Sequence, residues 1–338
     1  MNDRSSRPTR LGIIGTGIVA GLHLDAIAEA PGIDLVAVCD IDQRRAAEAA
    51  ERFAARTWQD YREMFAAEQM DGVVITSPHS LHTAMAKAAA EAGVAVLVEK
   101  PMATTLADAD EIIDTCERAG VPLSVGHVLR FDPAAEAAAS VIESGRIGRP
   151  LAISHRRSAH YRPGSRPDWF FDPVVAGGGI AMNVGPHGID RIQWFGGGLI
   201  TEIGASTWKR GGLAVETDVM ATARLESGVT ATIVLTSADI PFVDETLVIC
   251  ERGSLRCSAT EGTWISEDGA ERLLLEPAGT AAAFSGQLAD FVGSIRGENA
   301  PRVGGAYGRT VLSAVLAMYE SAETGAPVAL PARTAGVR

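Results

Sequence analysis

Long apolar runs are missing from this sequence: no stretch reaches the roughly 18 to 20 consecutive apolar residues that a bilayer-spanning helix needs, so no membrane partner is expected. Cysteine is scarce. The four residues Cys39, Cys116, Cys250 and Cys257 are scattered, with no C-x-x-C spacing and no companion histidines. They read as buried or half-buried reduced thiols rather than as disulfides or metal ligands. Positive charge is in deficit, with 30 Lys and Arg against 42 Asp and Glu and a formal net charge of -12. A surface of that sign repels a polyphosphate backbone, which argues against a nucleic-acid partner. Internal repeats and low-complexity linkers are absent too. The polar, basic start MNDRSSRPTR has no signal-like apolar core behind it and no adjacent Arg pair, so Met1–Thr9 reads as a frayed tail and the protein as cytoplasmic.

What is present is a folded chain. Hydrophobic residues make up 46% and charged residues 21% of 338, a globular composition on a chain longer than one core usually supports. Two domains are expected, 1–125 and 126–338. From Leu11 to Leu123, the short apolar runs LGIIG, DLVAVCD, GVVITSP, VAVLVEK and PLSVGH alternate with alanine-rich helical stretches such as QRRAAEAAERFAAR and SLHTAMAKAAAEAG. Near-continuous apolar strands with helical crossovers predict a doubly wound parallel α/β sheet. After about Phe131 the texture changes to a helix (PAAEAAASVIESG), the segment LAISHRRSA, and three hairpin patterns with Gly at the turn: DVMATARL-ESG-VTATIVLTS, ETLVICE-RG-SLRCSA and TWIS-EDG-AERLLL. Hairpins need no crossover, so the second half is expected to be α+β with a large, mainly antiparallel open sheet. FSGQLADFVGSIRG and AYGRTVLSAVLAMYESAETG close the chain as helices.

LGIIGTGIVA puts Gly15-x-Gly17-x-x-Ala20 after a strand and at the start of a helix. Gly15 permits the tight turn, Gly17 lets backbone N–H groups approach a pyrophosphate, and Ala20 lets the helix pack on the sheet. Thr16, Ile18 and Val19 complete the loop. The second strand ends in Asp40, about twenty residues on, where a carboxylate accepts hydrogen bonds from the adenosine ribose and repels a 2′-phosphate. NAD is therefore expected in preference to NADP, with Arg44 and Arg45 nearby as the counter-argument.

VAVLVEKP sets Glu99-Lys100-Pro101 at the carboxyl end of a predicted strand, the edge where open α/β sheets bind ligands. A lysine there can hydrogen-bond a substrate hydroxyl, and Pro101 allows a preceding cis bond. In the second half, GGGIAMNVGPHGID brings Gly177–Gly179, Asn183, His187 and Asp190 together. If Ala181–Trp194 is helical in part, Asn183 and His187 lie four residues apart on one face and Asp190 lies a turn beyond His187. A histidine beside a neutral amide titrates in the range useful for taking a proton from an alcohol. His79 and His82 lack a third ligand, so no metal is expected.

The series GTGIVA, Asp40, ITSPHSLH, EKP, GHVLRF, GGG and N-x-G-x-H-x-x-D resembles the Gfo/Idh/MocA family, the relatives of glucose-fructose oxidoreductase and inositol dehydrogenase, over nearly the whole chain. The resemblance implies an NAD(P)-dependent enzyme that oxidises or reduces a secondary alcohol or ketone carbon of a sugar, cyclitol or sugar derivative. It makes Lys100 the catalytic lysine and His187 the acid/base histidine. Asn183 stands where many members carry Asp, so it is assigned to substrate binding and orientation. Ser77, Pro78 and His82 match the segment beside the cofactor, and His79 takes a position often held by Asn. Glu99 joins the cofactor side, and His127 and Arg130 the substrate side. It also implies dimers or tetramers.

HRRSAHYRPGSRPDWFFDP gathers Arg156, Arg157, Arg162 and Arg166 with Tyr161 and Trp169. Arg162 and Trp169 are expected to reach substrate, the arginines holding an anionic part of it. Two alternatives stand beside this reading: an NADPH-dependent keto-sugar reductase, and a catalytically silent dinucleotide-sensing regulator, which would be expected to have lost Lys100 or His187.

Overall fold

The computed structural model describes residues 7–331, and the chain divides into two compact units. The first runs to Val128 and takes in Ala281–Arg309; the second is Leu129–Thr280, continued from Thr310.

In the first unit, strands β1 (Thr9–Ile14), β2 (Ile33–Cys39), β3 (Arg56–Trp58), β4 (Gly72–Ile75), β5 (Ala95–Glu99) and β6 (Leu123–Gly126) form a parallel sheet in the order β3-β2-β1-β4-β5-β6. Helices α1 (Ile18–Glu29), α2 (Gln43–Ala50), α3 (Tyr61–Ala67), α4 (His82–Glu91) and α5 (Leu106–Ala119) are the crossovers. Side chains one residue ahead of the helix cap three of them: Asp42 accepts from Arg44 N, Asp60 from Arg62 N and Thr105 from Asp108 N. The central strands β4 and β5 are buried along their whole length, as a sheet covered on both faces requires.

Two expectations change here. The helix expected to run through Arg56 stops at Ala50, and Arg56–Trp58 pairs with Ala37–Cys39 as a sixth strand. The tail expected through Thr9 is anchored from Arg7 onward. Arg7 donates to both Asp71 oxygens at 2.6 and 2.9 Å, and buried Thr9 opens β1. Residues 1–6 lie outside the described residues.

The second unit opens with α6 (Pro133–Glu143), followed by β7 (Pro150–Ser158), α7 (Pro173–Ala176), α8 (Ile180–Asn183) and α9 (Gly185–Gly196). Strands β8 (Ile200–Trp208), β9 (Asp218–Leu225), β10 (Thr230–Thr236), β11 (Asp244–Cys250), β12 (Gly253–Ser258), β13 (Gly262–Glu267) and β14 (Ala270–Leu275) come next. Then follow α10 (Gly279–Arg296), α11 (Gly305–Thr324) and β15 (Val328–Ala329). The nine strands form one sheet in the order β14-β13-β12-β11-β7-β10-β9-β8-β15. All the pairings are antiparallel except β7 with β10, and the three expected hairpins are β9–β10, β11–β12 and β13–β14. Strict alternation in β9 and β10 turns Ala221, Ala223, Ala231 and Ile233 inward and Thr222, Arg224, Thr230 and Thr232 outward.

The division at residue 125 expected from sequence falls close to Val128, but α10 belongs with the first unit rather than the second. Its Phe284 packs edge-on against His23, and Ile295 and Phe291 approach Gly72, where a Cβ would lie 2.6 and 3.0 Å from them.

Candidate active site

The glycine loop between β1 and α1 is shaped by what surrounds it. Gly15 has φ +87, and a Cβ there would sit 2.9 Å from Ser77 N, so both its conformation and its packing demand glycine. Gly17 precedes α1 with no side-chain cap, and nothing lies within 4 Å of where its Cβ would be. The N-terminus of a twelve-residue helix is thus left without a side-chain cap beside an open approach at Gly17, which suits a pyrophosphate. Ala20 is buried against the sheet, while Ile18 is 80% exposed.

Asp40 is already held to this loop. Its Oδ2 accepts from Thr16 N and Thr16 Oγ1, both at 2.8 Å, and its Oδ1 accepts from Asp42 N at 2.9 Å. Arg44 and Arg45 are turned toward carboxylates of their own helix region, Arg44 to Glu48 at 3.4 Å and Arg45 to Asp42 at 3.6 Å. Ile41 beside Asp40 is 88% exposed. At the end of β4, Ser77 is buried and its Oγ has no hydrogen-bond partner. An open helix N-terminus, a presented carboxylate and an unsatisfied buried hydroxyl fit a dinucleotide.

Lys100 follows β5 directly, and the Lys100–Pro101 peptide is cis. Behind it, Glu99 is buried and bonded to buried His23 at 2.9 Å, while its other oxygen accepts from Lys100 N at 3.2 Å. Burial pushes the Glu99 carboxyl up, but the His23 hydrogen bond, the nearby charges and the Lys100 N–H outweigh it and hold it below the usual range. Gly126 makes room for this carboxyl, since a Cβ there would lie 2.8 Å from Glu99 Cδ.

His82 is fully enclosed, its ring nitrogens 3.0 Å from Pro101 O and 2.9 Å from Ser77 O. It thereby ties the carboxyl end of β4 to that of β5. Burial pushes its imidazole down, against the pull of the two carbonyls. Glu99 and His82, expected on the cofactor side, are enclosed, Glu99 against His23 and His82 between Ser77 O and Pro101 O. His79 is buried with its ring centroid 5.8 Å from that of His82. His127, expected on the substrate side, is buried with its ring 6.2 Å from Tyr307.

In the second unit, Asn183 and His187 do not share one helix. Asn183 ends α8, Val184 breaks the path, and His187 lies in the first turn of α9 behind Pro186, which has no N–H to continue a helix from upstream. Both side chains are buried. Arg130, also expected on the substrate side, donates to Asp190 at 2.7 Å and lies over the Trp194 ring, so it fastens α9. Buried Arg191 reaches Asp244 at 3.2 Å, and Gly188 lets α9 lie against His155, where a Cβ would come 2.9 Å from His155 Nε2.

The basic loop is engaged within its own unit. Arg156 pairs with Glu245 at 3.2 Å, Arg157 with Asp244 at 3.1 Å and Arg162, 62% exposed, with Asp239 at 3.7 Å. Arg166 stacks over Tyr161 and Phe170 and donates to His160 O at 3.0 Å. Trp169 stacks on Phe170 with centroids 3.8 Å apart. No cluster that could hold a metal ion occurs among the described residues, and no helix there is long and apolar enough to cross a membrane.

Sequence reasoning missed Glu216 and Tyr319, which grip the glycine segment ahead of Asn183. Nothing local distinguishes a single acid in a loop or a single tyrosine in a helix.

Comparison with known proteins agrees with this geometry. Residues 9–127 match the oxidoreductase family with an NAD-binding Rossmann fold, and residues 135–256 match the GFO/IDH/MocA C-terminal domain. D-apiose dehydrogenase of Paraburkholderia graminis is 32% identical, over 94% of this chain and 88% of that protein. D-xylose 1-dehydrogenase (NADP(+)) 2 of Haloferax volcanii is 29% identical, over 94% and 99%. Levoglucosan dehydrogenase, solved in complex with NADH and L-sorbose, shares the fold with a TM-score of 0.89 at 23% identity, over 97% of this chain and all of that one. With both of its halves matched in order and a relative aligned along most of its length, the chain belongs to the Gfo/Idh/MocA family of oxidoreductases.

Proposed function

We propose that the protein is an NAD-dependent dehydrogenase that oxidises a secondary alcohol carbon of a neutral sugar or cyclitol, or reduces the matching ketone. One observation carries the reading: a single sheet edge holds Asp40 after β2, Ser77 after β4 and Lys100 after β5, so cofactor recognition and a proton-handling lysine lie on one ledge. Asp40, held to Thr16 by two 2.8 Å bonds, supports NAD over NADP. The named relatives act on sugars, one of them with NADP.

The bound nicotinamide supplies the hydride acceptor. Gly17 N and the N–H groups that open α1 would meet the pyrophosphate, with Gly15 and Thr16 shaping the turn through their own bonds to Cys39 O and Asp40, and Asp40 would accept from the ribose hydroxyls. Lys100 Nζ donates to the oxygen of the reacting C–OH and stabilises the negative charge that grows there. His187 takes the hydroxyl proton, and the Asn183 amide orients neighbouring hydroxyls. Because Arg156, Arg157 and Arg162 already face carboxylates and Arg166 is packed on aromatic rings, an anionic substrate gains little from them. Neutral substrates are favoured.

We also propose that copies pair through the outer face of the nine-stranded sheet. There Ser154, Met220, Thr222, Thr232 and Ile249 are exposed on strands β7, β9, β10 and β11. Light scattering on Thr232→Arg checks this: a smaller assembly is expected, and an unchanged mass contradicts it.

Lys100→Ala and His187→Ala test the chemistry. Each is expected to lower kcat by about a hundredfold or more, with NADH binding to His187→Ala unchanged. Wild-type turnover in either variant contradicts the assignment.

A further inference from the structure

Four N–H groups at the start of α8 have no partner within the helix, and an α-helix so short has little else to hold it. Here every one is taken by two side chains from elsewhere in the same unit and one carbonyl. Glu216 Oε1 accepts from Gly179 N and Ala181 N, both at 2.9 Å, and Oε2 accepts from Gly179 N at 3.0 Å. The Glu216 carbonyl accepts from Ile180 N at 3.0 Å. Tyr319 Oη accepts from Met182 N at 3.1 Å and donates to Glu216 Oε1 at 2.8 Å. The helix's own ladder begins only with Asn183 N on Gly179 O, at 3.0 Å.

The glycines exist to admit this grip. A Cβ at Gly178 would overlap the Tyr319 hydroxyl, and one at Gly179 would overlap the Glu216 carbonyl oxygen. Gly178 also has φ +151, a backbone that other residues rarely adopt. Glu216 is buried, and its hydrogen-bond donors are backbone N–H groups and one phenol rather than a cation. Burying a carboxylate among neutral donors is a costly way to gain stability, whereas a fully satisfied buried network rigidifies the short segment it holds. Burial, followed by the neighbouring Glu216 charge, keeps the Tyr319 phenol well above its ordinary range and so a donor at all working pH.

We propose that Glu216 and Tyr319 are positioning residues for the reaction: they set the Gly177–His187 segment, and through it His187, at the reacting carbon. This rests on the reading of His187 given above. Neither residue touches substrate. Their contribution reaches the chemistry only through the segment they hold.

The test compares wild type, Glu216→Gln, Tyr319→Phe, His187→Ala and the double variant Glu216→Gln/His187→Ala. Each is assayed for kcat and KM on the best neutral aldose or inositol, for NADH binding and for Tm. Misplacing a reacting group by about 1 Å can slow a reaction about a hundredfold. Glu216→Gln keeps the Oε1 acceptor but sets an amide donor against Gly179 N where Oε2 stood, and it and Tyr319→Phe are each expected to lose about tenfold in kcat, with NADH affinity unchanged. The double variant is expected to be no slower than His187→Ala alone, because the loss acts through His187.

If Glu216→Gln does not fold, Tyr319→Phe carries the same comparison through the milder loss of one hydroxyl. Single variants within twofold of wild type, or effects that multiply in the double variant, overturn the proposal. Wild-type turnover by His187→Ala overturns the reading of His187 beneath it. An inactive His187→Ala beside a fully active Glu216→Gln overturns this inference alone.

Discussion

Asp40→Ser should exchange the cofactor preference, and the geometry sets the scale. In the wild type the carboxylate makes three short bonds, two to Thr16 at 2.8 Å and one to Asp42 N at 2.9 Å, so it cannot swing away without breaking a charge-assisted set. A ribose hydroxyl can share an oxygen of that carboxylate; a 2′-phosphate meets its charge at contact distance. Hydrogen bonds to a charged group contribute about 1.5–3 kcal/mol, so removing the acceptor should weaken NADH binding by about ten- to a hundredfold. Relief of the repulsion, screened by solvent at this half-buried site, should strengthen NADPH binding by about tenfold. Titration calorimetry with NADH and NADPH on both proteins, at one fixed salt concentration, reads both numbers. The reasoning fails if wild type binds NADPH as tightly as NADH, or if the ratio of the two affinities is the same in Asp40→Ser.

Burial pushes the His155 imidazole down to about 3, partly opposed by the Asp244 charge. The unfolded chain therefore takes up a proton near pH 6.5 that the folded chain refuses, and the His155 contribution, complete above pH 6.5, is lost as pH falls toward 3. Unfolding of His155→Leu should show a pH slope shallower than wild type by up to about 1.4 kcal/mol per pH unit between pH 6 and 4; equal slopes contradict this. His23→Leu strands the Glu99 carboxylate in a buried site and should cost about 3–5 kcal/mol at pH 8. That deficit should shrink as pH falls and Glu99 protonates, so denaturant titrations at pH 8 and pH 5 that give the same deficit contradict the pairing.

Much of the fold was legible because its signals are local. The glycine turn, the Asp closing β2 and the apolar runs of β4 and β5 each need only a few neighbouring residues to be recognised, and the three hairpins announce themselves by alternation ending on glycine. Strand β3 escaped because three residues, two of them exposed, follow an alanine-rich helix without a turn signal. The pattern of α10 was readable as a helix, but its place in the first unit depends on Phe284 meeting His23, a contact between residues far apart in the chain.

Site residues divide in the same way. Lys100 and His187 are marked by motifs. What Glu99, His82 and Arg130 do is decided by partners at a distance in sequence, His23, Ser77 with Pro101, and Asp190. Asn183 and His187 looked like one helical face because spacing alone cannot reveal the break at Val184. Glu216 and Tyr319 had no pattern to betray them, since their meaning lies in four backbone N–H groups that only the folded segment presents.

The most direct test of the central claim is reduction of NAD+, followed at 340 nm, across a panel of neutral aldoses, inositols, sugar acids and nucleotide sugars, with NADP+ in parallel. The account predicts turnover of at least one neutral aldose or inositol, faster with NAD+ than with NADP+. Tight NADH binding with no reduction on any member of the panel would contradict it and leave a dinucleotide-sensing protein in place of an enzyme.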